Sequence, residues 1–296
     1  MYSQIDSNKR KSVFLMMIFI AFIIVLGYVF DKVWGAPGAY SGVFFAIFIS
    51  LLMTMISYFS GDKIALLTTG AKPIIKEENR YLYNMVENLC ITSGMPVPKI
   101  YIIEDEAINA FATGRKPELS SIAVTTGAIK KLANEELEGV LAHELSHIKN
   151  YDIRFMMLVA VMVGSIAILS DIFMRARWFG GGRRSDSDRG GQAGSILLIA
   201  GVILAILSPL IAELIKLSIS RKREYLADAS GSLLTRYPEG LARALEKIAS
   251  ENRPMAHASK ATAHLFIANP FSGRKVAALF STHPPIEERI KILRGM

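Results

Sequence analysis

The sequence contains a single cysteine, Cys90, among its 296 residues. One thiol can form no disulfide within the chain and cannot build a zinc site from several thiolates. Any metal site in this protein must therefore use histidine and carboxylate ligands, and the chain has only five histidines.

The sequence also lacks a basic cluster of the kind that binds nucleic acid. Its net charge is +8, but the lysines and arginines are scattered near the ends of apolar runs and are not gathered with aromatic residues. This distribution is typical of membrane proteins, in which basic residues set the topology and contact anionic lipids. We therefore expect the lipid bilayer as a partner and no nucleic acid.

Long apolar runs dominate the rest of the composition, and hydrophobic residues make up 51% of the chain. Four runs are each near the length that crosses a bilayer as a helix. They cover Val13 to Val33, Val43 to Phe59, Phe155 to Met174 and Ile196 to Ala212. The first run is too long for a signal peptide and lacks a small-residue cleavage site. The sequence thus predicts four transmembrane helices.

The positive charges predict the orientation of these helices. Basic residues 9 to 11 precede the first run, which keeps the N-terminus in the cytoplasm. Lysines follow the second run, so residues 61 to 150 should also face the cytoplasm. With four spans, both termini are cytoplasmic.

One segment conflicts with this topology. Residues 175–195 are rich in glycine and serine, which predicts a flexible loop, and contain five arginines against two aspartates. A four-span count places this basic loop outside the membrane. Either the first helix sets the orientation and the loop crosses despite its charge, which we favour, or the last two runs form a hairpin that does not fully cross.

The strongest chemical signal is the stretch His143-Glu144-Leu145-Ser146-His147. Histidines four residues apart lie on one face of a helix, so both rings can bind the same ion. Glu144 is placed to act as the general base on a water. This arrangement is typical of zinc peptidases, which add a third protein ligand and keep one position open. Two helical histidines that only pack or face solvent are the alternative.

The flanking residues predict that this stretch lies on a helix. Asn134 is a favourable N-cap, and Glu135 and Glu136 lie in the first turn, where acids suit the helix dipole. Apolar residues then recur at helical spacing at Leu137, Val140, Leu141, Leu145 and Ile148.

A small sheet is predicted to precede this helix. Residues 77–93 have helical apolar spacing, and strands are predicted at Lys99 to Ile103, Asn109 to Thr113 and Ser121 to Thr126. An exposed edge strand can hold an extended peptide, although a purely structural hairpin fits the sequence equally well. Short helices are predicted at residues 240–250 and 285–293.

The predicted fold is a mainly α membrane protein with four transmembrane helices and a cytoplasmic α+β zinc-peptidase domain that contains this sheet. Residues 1–60 would form the first membrane hairpin, and residues 153–218 the second hairpin with its loop. Residues 61–152 and 219–296 would be the two catalytic parts.

The third metal ligand is predicted to be Glu224. Glu224 and Asp228 are four residues apart on one face of a helix that continues from the fourth run into the cytoplasm. Glu224 is favoured because this helix returns to the side of the membrane that holds the histidine pair. Asp228 is then placed to accept a ring N–H from a ligand histidine. The competitors are His257, His264 and His283.

Several motifs together closely resemble the HtpX family of bacterial membrane-integral heat-shock zinc metallopeptidases. They are the histidine pair with Glu144, the Glu-Tyr-Leu-Ala-Asp stretch at 224–228, Asn109 to Ala112, and Thr282 to Pro285. The resemblance covers essentially the whole chain. It implies a gluzincin in which His143, His147 and Glu224 bind one Zn²⁺ per chain and Glu144 is the general base. It also implies membrane-protein quality control in the bacterial plasma membrane, with a cytoplasmic active site.

Three further residues have candidate roles in this mechanism. His283 is the candidate donor to the developing oxyanion, with helix capping as the alternative. Arg289 is a candidate to hold Asp228 or to contact substrate. Asn109 is a candidate to fix the substrate strand, although asparagine is also common in turns.

The leading hypothesis is a zinc endopeptidase that cleaves misfolded or surplus membrane proteins at the cytoplasmic face. A prenyl-protein-type membrane protease shares this chemistry but has more spans. A non-proteolytic scaffold with structural zinc is the third possibility. Glu144 argues against that scaffold, because a structural site closes its fourth position and has no use for the acid. No pattern in the sequence indicates an oligomeric state.

Overall fold

The structure is a computed structural model that describes residues 2–34, 40–164, 166, 221–251, 253–256, 258–259, 261–271 and 284–296. These residues are mainly helical and include one small mixed sheet. The fourth predicted apolar run, the loop at 175–195, His257 and His283 lie outside the described residues. Of the third run, residues 155–164 and 166 are described, and they are helical.

The N-terminal part of the chain is a hairpin of two long helices, α1 (Tyr2–Trp34) and α2 (Ser41–Thr68). The hairpin is fastened by Asp31, whose two carboxylate oxygens accept the backbone N–H groups of Gly42 and Val43, each at 2.8 Å. Among the described residues, α2 is the one helix found to be long and apolar enough to cross a membrane. The first predicted run lies within α1, and many apolar side chains of both helices are exposed.

The sheet has four strands: β1 (Lys72–Pro73), β2 (Lys99–Ile103), β3 (Ala110–Gly114) and β4 (Ser120–Thr125). Their order is β1-β2-β4-β3; β2 and β4 are parallel, and the other two pairs are antiparallel. The predicted bounds of β2 are confirmed, whereas β3 and β4 are each displaced by one residue from the predicted strands. The sheet therefore lies where the sequence predicted it, with β3 at one side.

Seven further helices lie among the described residues and follow from apolar residues at helical spacing. They are α3 (Arg80–Ser93), α4 (Thr126–Lys131), α5 (Asn134–Lys149), α6 (residues 152–164), α7 (Arg221–Thr235), α8 (Pro238–Glu251) and α9 (Ile286–Leu293). The main core lies between the sheet, α3, α5 and α8. Helix α5, which carries the histidine pair, is at its centre and is buried from Glu136 through Ile148 except at Glu138.

The predicted N-cap of α5 is wrong by one residue. The helix begins at Asn134, so its cap is Ala133, which has no side chain able to accept a hydrogen bond. Instead, Glu136 accepts the backbone N–H of Ala133 at 2.7 Å. The side chain that accepts a backbone N–H at the start of α5 is thus Glu136 in the first turn, and not the predicted Asn134.

Candidate metal centre

The histidine pair lies at the buried centre of α5. The two rings are edge to face with centroids 4.7 Å apart, and their Nε2 atoms are 3.2 Å apart. His143 and His147 are 1% and 4% exposed. Spacing of one helical turn brings both rings to one point, as the sequence predicts.

Glu224 reaches the same point from α7. Its carboxylate lies 3.8 Å from His143 Nε2 and 3.5 Å from His147 Nε2. The three residues can offer ligand atoms that all lie within 4.8 Å of one another. The structure thus brings two side chains of α5 together with one side chain of α7, a helix that is distant in the sequence.

Gly231 permits the close approach of α7 to α5. A Cβ atom at this position would lie 2.9 Å from the backbone nitrogen of His143 and 3.1 Å from the carbonyl carbon of Ala142. Neither backbone atom can move without displacing α5. The absence of a side chain at Gly231, two turns after Glu224, therefore helps set the distance between Glu224 and the histidines.

Each histidine is held from behind by an aspartate. His143 Nδ1 lies 2.9 Å from Asp228 Oδ1, and His147 Nδ1 lies 3.0 Å from Asp152 Oδ2. A carboxylate at Nδ1 places the ring proton there and leaves Nε2 with its lone pair directed at the point shared with Glu224. Asp228 lies where the sequence predicts it. Asp152 was not predicted to have a role; it follows the end of α5 at Lys149, so its spacing of five residues from His147 gives no helical-face signal that could have found it.

Arg289 of α9 supports this arrangement. Its guanidinium donates to both oxygens of Asp228, at 2.9 and 2.7 Å, and one nitrogen lies 3.8 Å from Glu224 Oε2. The side chain is completely buried. Of its two candidate roles, this geometry fits the hold on Asp228, because the guanidinium donates to both of its carboxylate oxygens.

Glu144 lies beside the cluster and is 2% exposed. Its carboxylate accepts a hydrogen bond from the backbone of Ala112 on β3. Burial raises the pKa of Glu144 to about 8, while the neighbouring charge of His147 acts in the opposite direction. A carboxyl group with a raised pKa can accept and return a proton near neutral pH.

The surrounding charges also shift the pKa values of the other groups. Burial lowers the pKa of His147, but Asp152 and Glu224 outweigh it and raise the value to about 9. Burial raises the pKa of Asp228, but Arg289 and His143 bring it down to about 2. A divalent cation among these groups would favour the neutral imidazoles and the ionised carboxylates that bind it.

The cluster fits a zinc ion. Tetrahedral zinc with nitrogen and oxygen ligands at about 2.0–2.2 Å holds those ligands roughly 3.3 Å from one another. The separations here are 3.2, 3.5 and 3.8 Å. Two imidazoles and one carboxylate, with both rings oriented by acids, are also a donor set that zinc prefers.

The edge of β3 next to the cluster is partly occupied by the chain itself. Ile267 donates its backbone N–H to the carbonyl of Ala110 at 3.0 Å, and Phe266 forms a bridge with Phe111. The amide of Asn109 donates to the Ala268 carbonyl at 3.0 Å and accepts its N–H at 3.3 Å. Asn109 therefore holds an internal segment, and its role in holding substrate stays a prediction.

The remaining histidines differ in their positions. His264 is buried on the 3₁₀ turn Ala263–Leu265, with Nε2 2.9 Å from the carbonyl of Met156. It lies outside the metal cluster, in packed surroundings. The role predicted for His283 falls outside the described residues and stays a prediction.

Comparison with known proteins gives consistent results. A model of peptidase family M48 matches residues 76–296 of the chain. A protein described as "Protease HtpX homolog" from Caldanaerobacter subterraneus subsp. tengcongensis is 46% identical in an alignment of 298 positions that covers 100% of this chain and 98% of that protein. One with the same description from Tropheryma whipplei is 42% identical over 299 residues, with the same two coverages.

A solved structure shares the fold. The crystal structure of S. mikatae Ste24p aligns with a TM-score of 0.50 and 22% sequence identity, covering 99% of this chain and 67% of that chain. At this identity the likeness shows the fold alone.

Proposed function

The chain belongs to peptidase family M48, and we propose that it is a membrane-bound zinc endopeptidase that cleaves misfolded or surplus membrane proteins at the cytoplasmic face of the bacterial plasma membrane. Peptidases of this family are zinc-dependent. The observation that carries the proposal is the convergence of His143, His147 and Glu224 beside the buried carboxyl group of Glu144. We propose one Zn²⁺ per chain at this point.

Zinc bound by these three residues would polarise the scissile carbonyl and acidify a water. Glu144 takes the proton from the attacking water and passes it to the leaving amine. Both transfers are efficient when the pKa of the carboxyl group lies near the working pH. Asp228 and Asp152 hold the ligand imidazoles in the correct tautomer. Arg289 holds Asp228 in turn.

We propose that the substrate adds as a strand along the remaining edge of β3. Ala110 uses its outward carbonyl for Ile267, and the backbone N–H of Ala112 is used by Glu144. The edge that remains for a substrate therefore runs from the carbonyl of Ala112 to Gly114. Strand addition relies on backbone hydrogen bonds and so places little demand on substrate sequence. Such tolerance suits an enzyme that acts on unfolded segments. His283 remains the proposed donor to the oxyanion.

The membrane arrangement is also a proposal. The exposed apolar side chains of α1 and α2 support a hairpin in contact with lipid, since a soluble protein would bury them. With the second predicted hairpin, the chain would cross the bilayer four times and keep both termini and the metal centre in the cytoplasm. An introduced cysteine in the loop at 175–195 would report its side by labelling with an impermeant reagent.

The test compares metal-free protein before and after addition of zinc, with an unfolded membrane protein as substrate. We expect zinc to restore cleavage in the wild type and not in Glu144→Ala, while both bind zinc. The matched control is Glu135→Ala, an exposed acid in the first turn of the same helix, which should cleave like the wild type. Equal cleavage by Glu144→Ala and wild type would exclude a peptidase reaction at this metal centre.

Two alternatives are outcomes of the same assay. A scaffold with structural zinc predicts zinc binding and no cleavage by the wild type. A prenyl-protein-type protease predicts cleavage of a prenylated peptide and not of the unprenylated one; the likeness to Ste24p, which is one of fold, gives no preference for it.

A further inference from the structure

An open cleft lies between the first membrane helix and the catalytic part. Its walls are the start of α1, the end of the apolar part of α2, the turn between β3 and β4, and the junction of α5 with α6. Four cations line it: Lys9, Arg115, Lys116 and Arg154. None of these residues belongs to the metal centre, so the cleft is a separate feature.

Most of these cations lack an acidic partner. Lys116 lies 3.5 Å from Glu118, in an exposed pair that is worth little in water. Within the described part of the chain, no carboxylate lies within ion-pair distance of Lys9, Arg115 or Arg154. The Nε atom of Arg154 is buried and makes no hydrogen bond to a described residue. A concentration of unneutralised positive charge is a site for an anion.

Aromatic rings hold the cations in place. Lys9 Nζ lies 4.6 Å from the ring centre of Tyr151. Arg115 Cζ lies 4.7 Å from the ring centre of Phe59, and Arg154 Cζ lies 5.5 Å from that of Tyr58. Stacking on an aromatic face leaves the N–H groups at the edge of a guanidinium available to an anion. The cleft is therefore organised in advance for a group with several acceptor oxygens.

The backbone at the cleft is strained. Tyr151 has a φ of 60°, in the left-handed region that a bulky residue seldom adopts. This conformation turns the chain from α5 into α6 and brings the Tyr151 ring under Lys9. Strain of this kind is retained where the surrounding structure or a function requires it.

The position of the cleft along the membrane helices indicates the source of the anion. Lys9 lies four residues before the apolar run that begins at Val13, and Phe59 is the last residue of the run in α2. Phe59 and Leu119 at the rim are 57% and 42% exposed. Basic and tyrosine side chains at the ends of apolar helices lie at the level of the lipid headgroups. An apolar rim beside a cationic cleft suits acyl chains beside a phosphate.

We propose that this cleft binds the phosphate headgroup of an anionic phospholipid of the cytoplasmic leaflet. Arg115 and Arg154 bind the phosphate through their guanidinium groups, and Lys9 adds a third positive charge. The acyl chains lie against the exposed apolar face of α2. The bound lipid fastens the turn after β3 and the junction after α5 to the bilayer surface, which fixes the catalytic part relative to the membrane.

The test uses the full-length protein in nanodiscs of phosphatidylcholine alone or of equal parts phosphatidylcholine and phosphatidylglycerol. We expect phosphatidylglycerol to raise the midpoint of thermal unfolding and to be the lipid retained in native mass spectrometry after extraction. Removing one guanidinium should weaken retention about five-fold, since a basic residue at the surface contributes about 1 kcal/mol toward an anionic lipid. Arg115→Gln/Arg154→Gln should lose the preference.

The matched control is Arg80→Gln/Arg253→Gln, which removes the same charge at exposed arginines outside the cleft. It should retain phosphatidylglycerol like the wild type. Equal loss in both double variants, or loss in neither, would overturn the proposal. If the double variant in the cleft unfolds at a lower temperature than the wild type in phosphatidylcholine alone, the single variant Arg115→Gln replaces it in the test. We then expect retention of phosphatidylglycerol to fall about five-fold. Unchanged retention would contradict the proposal.

Inorganic phosphate distinguishes the lipid from a free anion. We expect inorganic phosphate, added to protein in phosphatidylcholine, to leave the unfolding midpoint unchanged. If phosphate alone reproduces the shift and displaces no lipid, the cleft binds a soluble anion and the proposal of a phospholipid is wrong.

Discussion

Asn8 donates a hydrogen bond of 2.6 Å to Oδ1 of Asp152, across 144 positions of sequence. The other oxygen of Asp152 lies 3.0 Å from Nδ1 of His147. The same amide of Asn8 also donates to the backbone carbonyl of Asn150 at 2.9 Å. The N-terminal end of α1 is thus connected through one carboxylate to a ring of the candidate metal centre.

Replacing Asn8 should weaken zinc binding. Asn8→Leu leaves one buried oxygen of Asp152 without its donor, so the carboxylate is less firmly held against His147. Partners of metal ligands typically contribute about 10-fold to 100-fold in affinity. Because Asn8 acts one bond further out, we expect a loss of about five-fold, measured by competition for zinc with a chelator.

A double variant separates this effect from a general loss of packing. If Asn8 acts through Asp152, Asn8→Leu should have no further effect on zinc affinity in the background of Asp152→Ala. The control is Ser12→Ala, which removes a buried hydroxyl one turn along α1 whose hydrogen bond within the described part of the chain is to the Asn8 carbonyl. Additive losses, or an equal loss in Ser12→Ala, would show that the bond to Asp152 is not the cause.

Gly231→Ala should also weaken zinc binding. The added Cβ would lie 2.9 Å from the backbone nitrogen of His143, so α7 must move away from α5 and carry Glu224 with it. We expect zinc affinity to fall about ten-fold or more, as for loss of an orienting partner. Gly295→Ala is the control, because its Cβ would have no neighbour closer than 3.4 Å. Unchanged zinc affinity in Gly231→Ala would contradict the fixed spacing of the two helices.

The position of the histidines was predictable because the pattern that sets it is local. The bounds of β2 and the helical face shared by His143 and His147 follow from residues a few positions apart. Glu224 was also predicted, because its helix was expected to return to the side of the membrane that holds the histidine pair. Local periodicity thus predicted the two histidines, and the expected course of the chain favoured Glu224 over the three remaining histidines.

The partners of these residues depend on contacts between distant parts of the chain. Asp152 follows Tyr151, where the left-handed backbone ends the helical periodicity that would predict its direction. Asn8 has no local relation to Asp152, and Ile267 has none to Ala110. Such contacts are set by tertiary packing, which hydrophobic periodicity in one sequence does not describe.

Arg289→Met should destabilise the metal-free protein. The change leaves the carboxylate of Asp228 buried without its bidentate partner, and breaking a buried ion pair on one side costs about 3–5 kcal/mol. The free energy of unfolding would be measured in detergent with urea. Arg289→Met/Asp228→Asn removes the unpaired charge and should recover part of the loss; no recovery would mean that the shape of Arg289, and not its charge, is required.

Acid should remove the contribution of Asp228 to stability. Its pKa is about 2 in the folded protein against an ordinary 3.8, so the ionised form stabilises the fold. This contribution is fully present above about pH 4 and is lost as the pH falls toward about 2. The metal-free variant Asp228→Asn should therefore lose less stability over this interval than the metal-free wild type, measured by unfolding in urea at each pH. An equal loss in the two would contradict the lowered pKa.

Cys90 should be inert to thiol reagents in the folded protein. The thiol is completely buried in the core between α3 and the sheet, and burial, with a smaller effect of Glu87, raises its pKa to about 11. The reactive thiolate is therefore scarce at neutral pH, and a reagent has no access to it. We expect maleimide to label Cys90 only as the protein unfolds, with a midpoint that follows the loss of helical circular dichroism.

An added surface cysteine at Ser250 provides the control and should be labelled at once in the folded state. Rapid labelling of the unaltered chain below the unfolding transition would contradict this prediction, because it would show that the core around α3 opens in the folded protein.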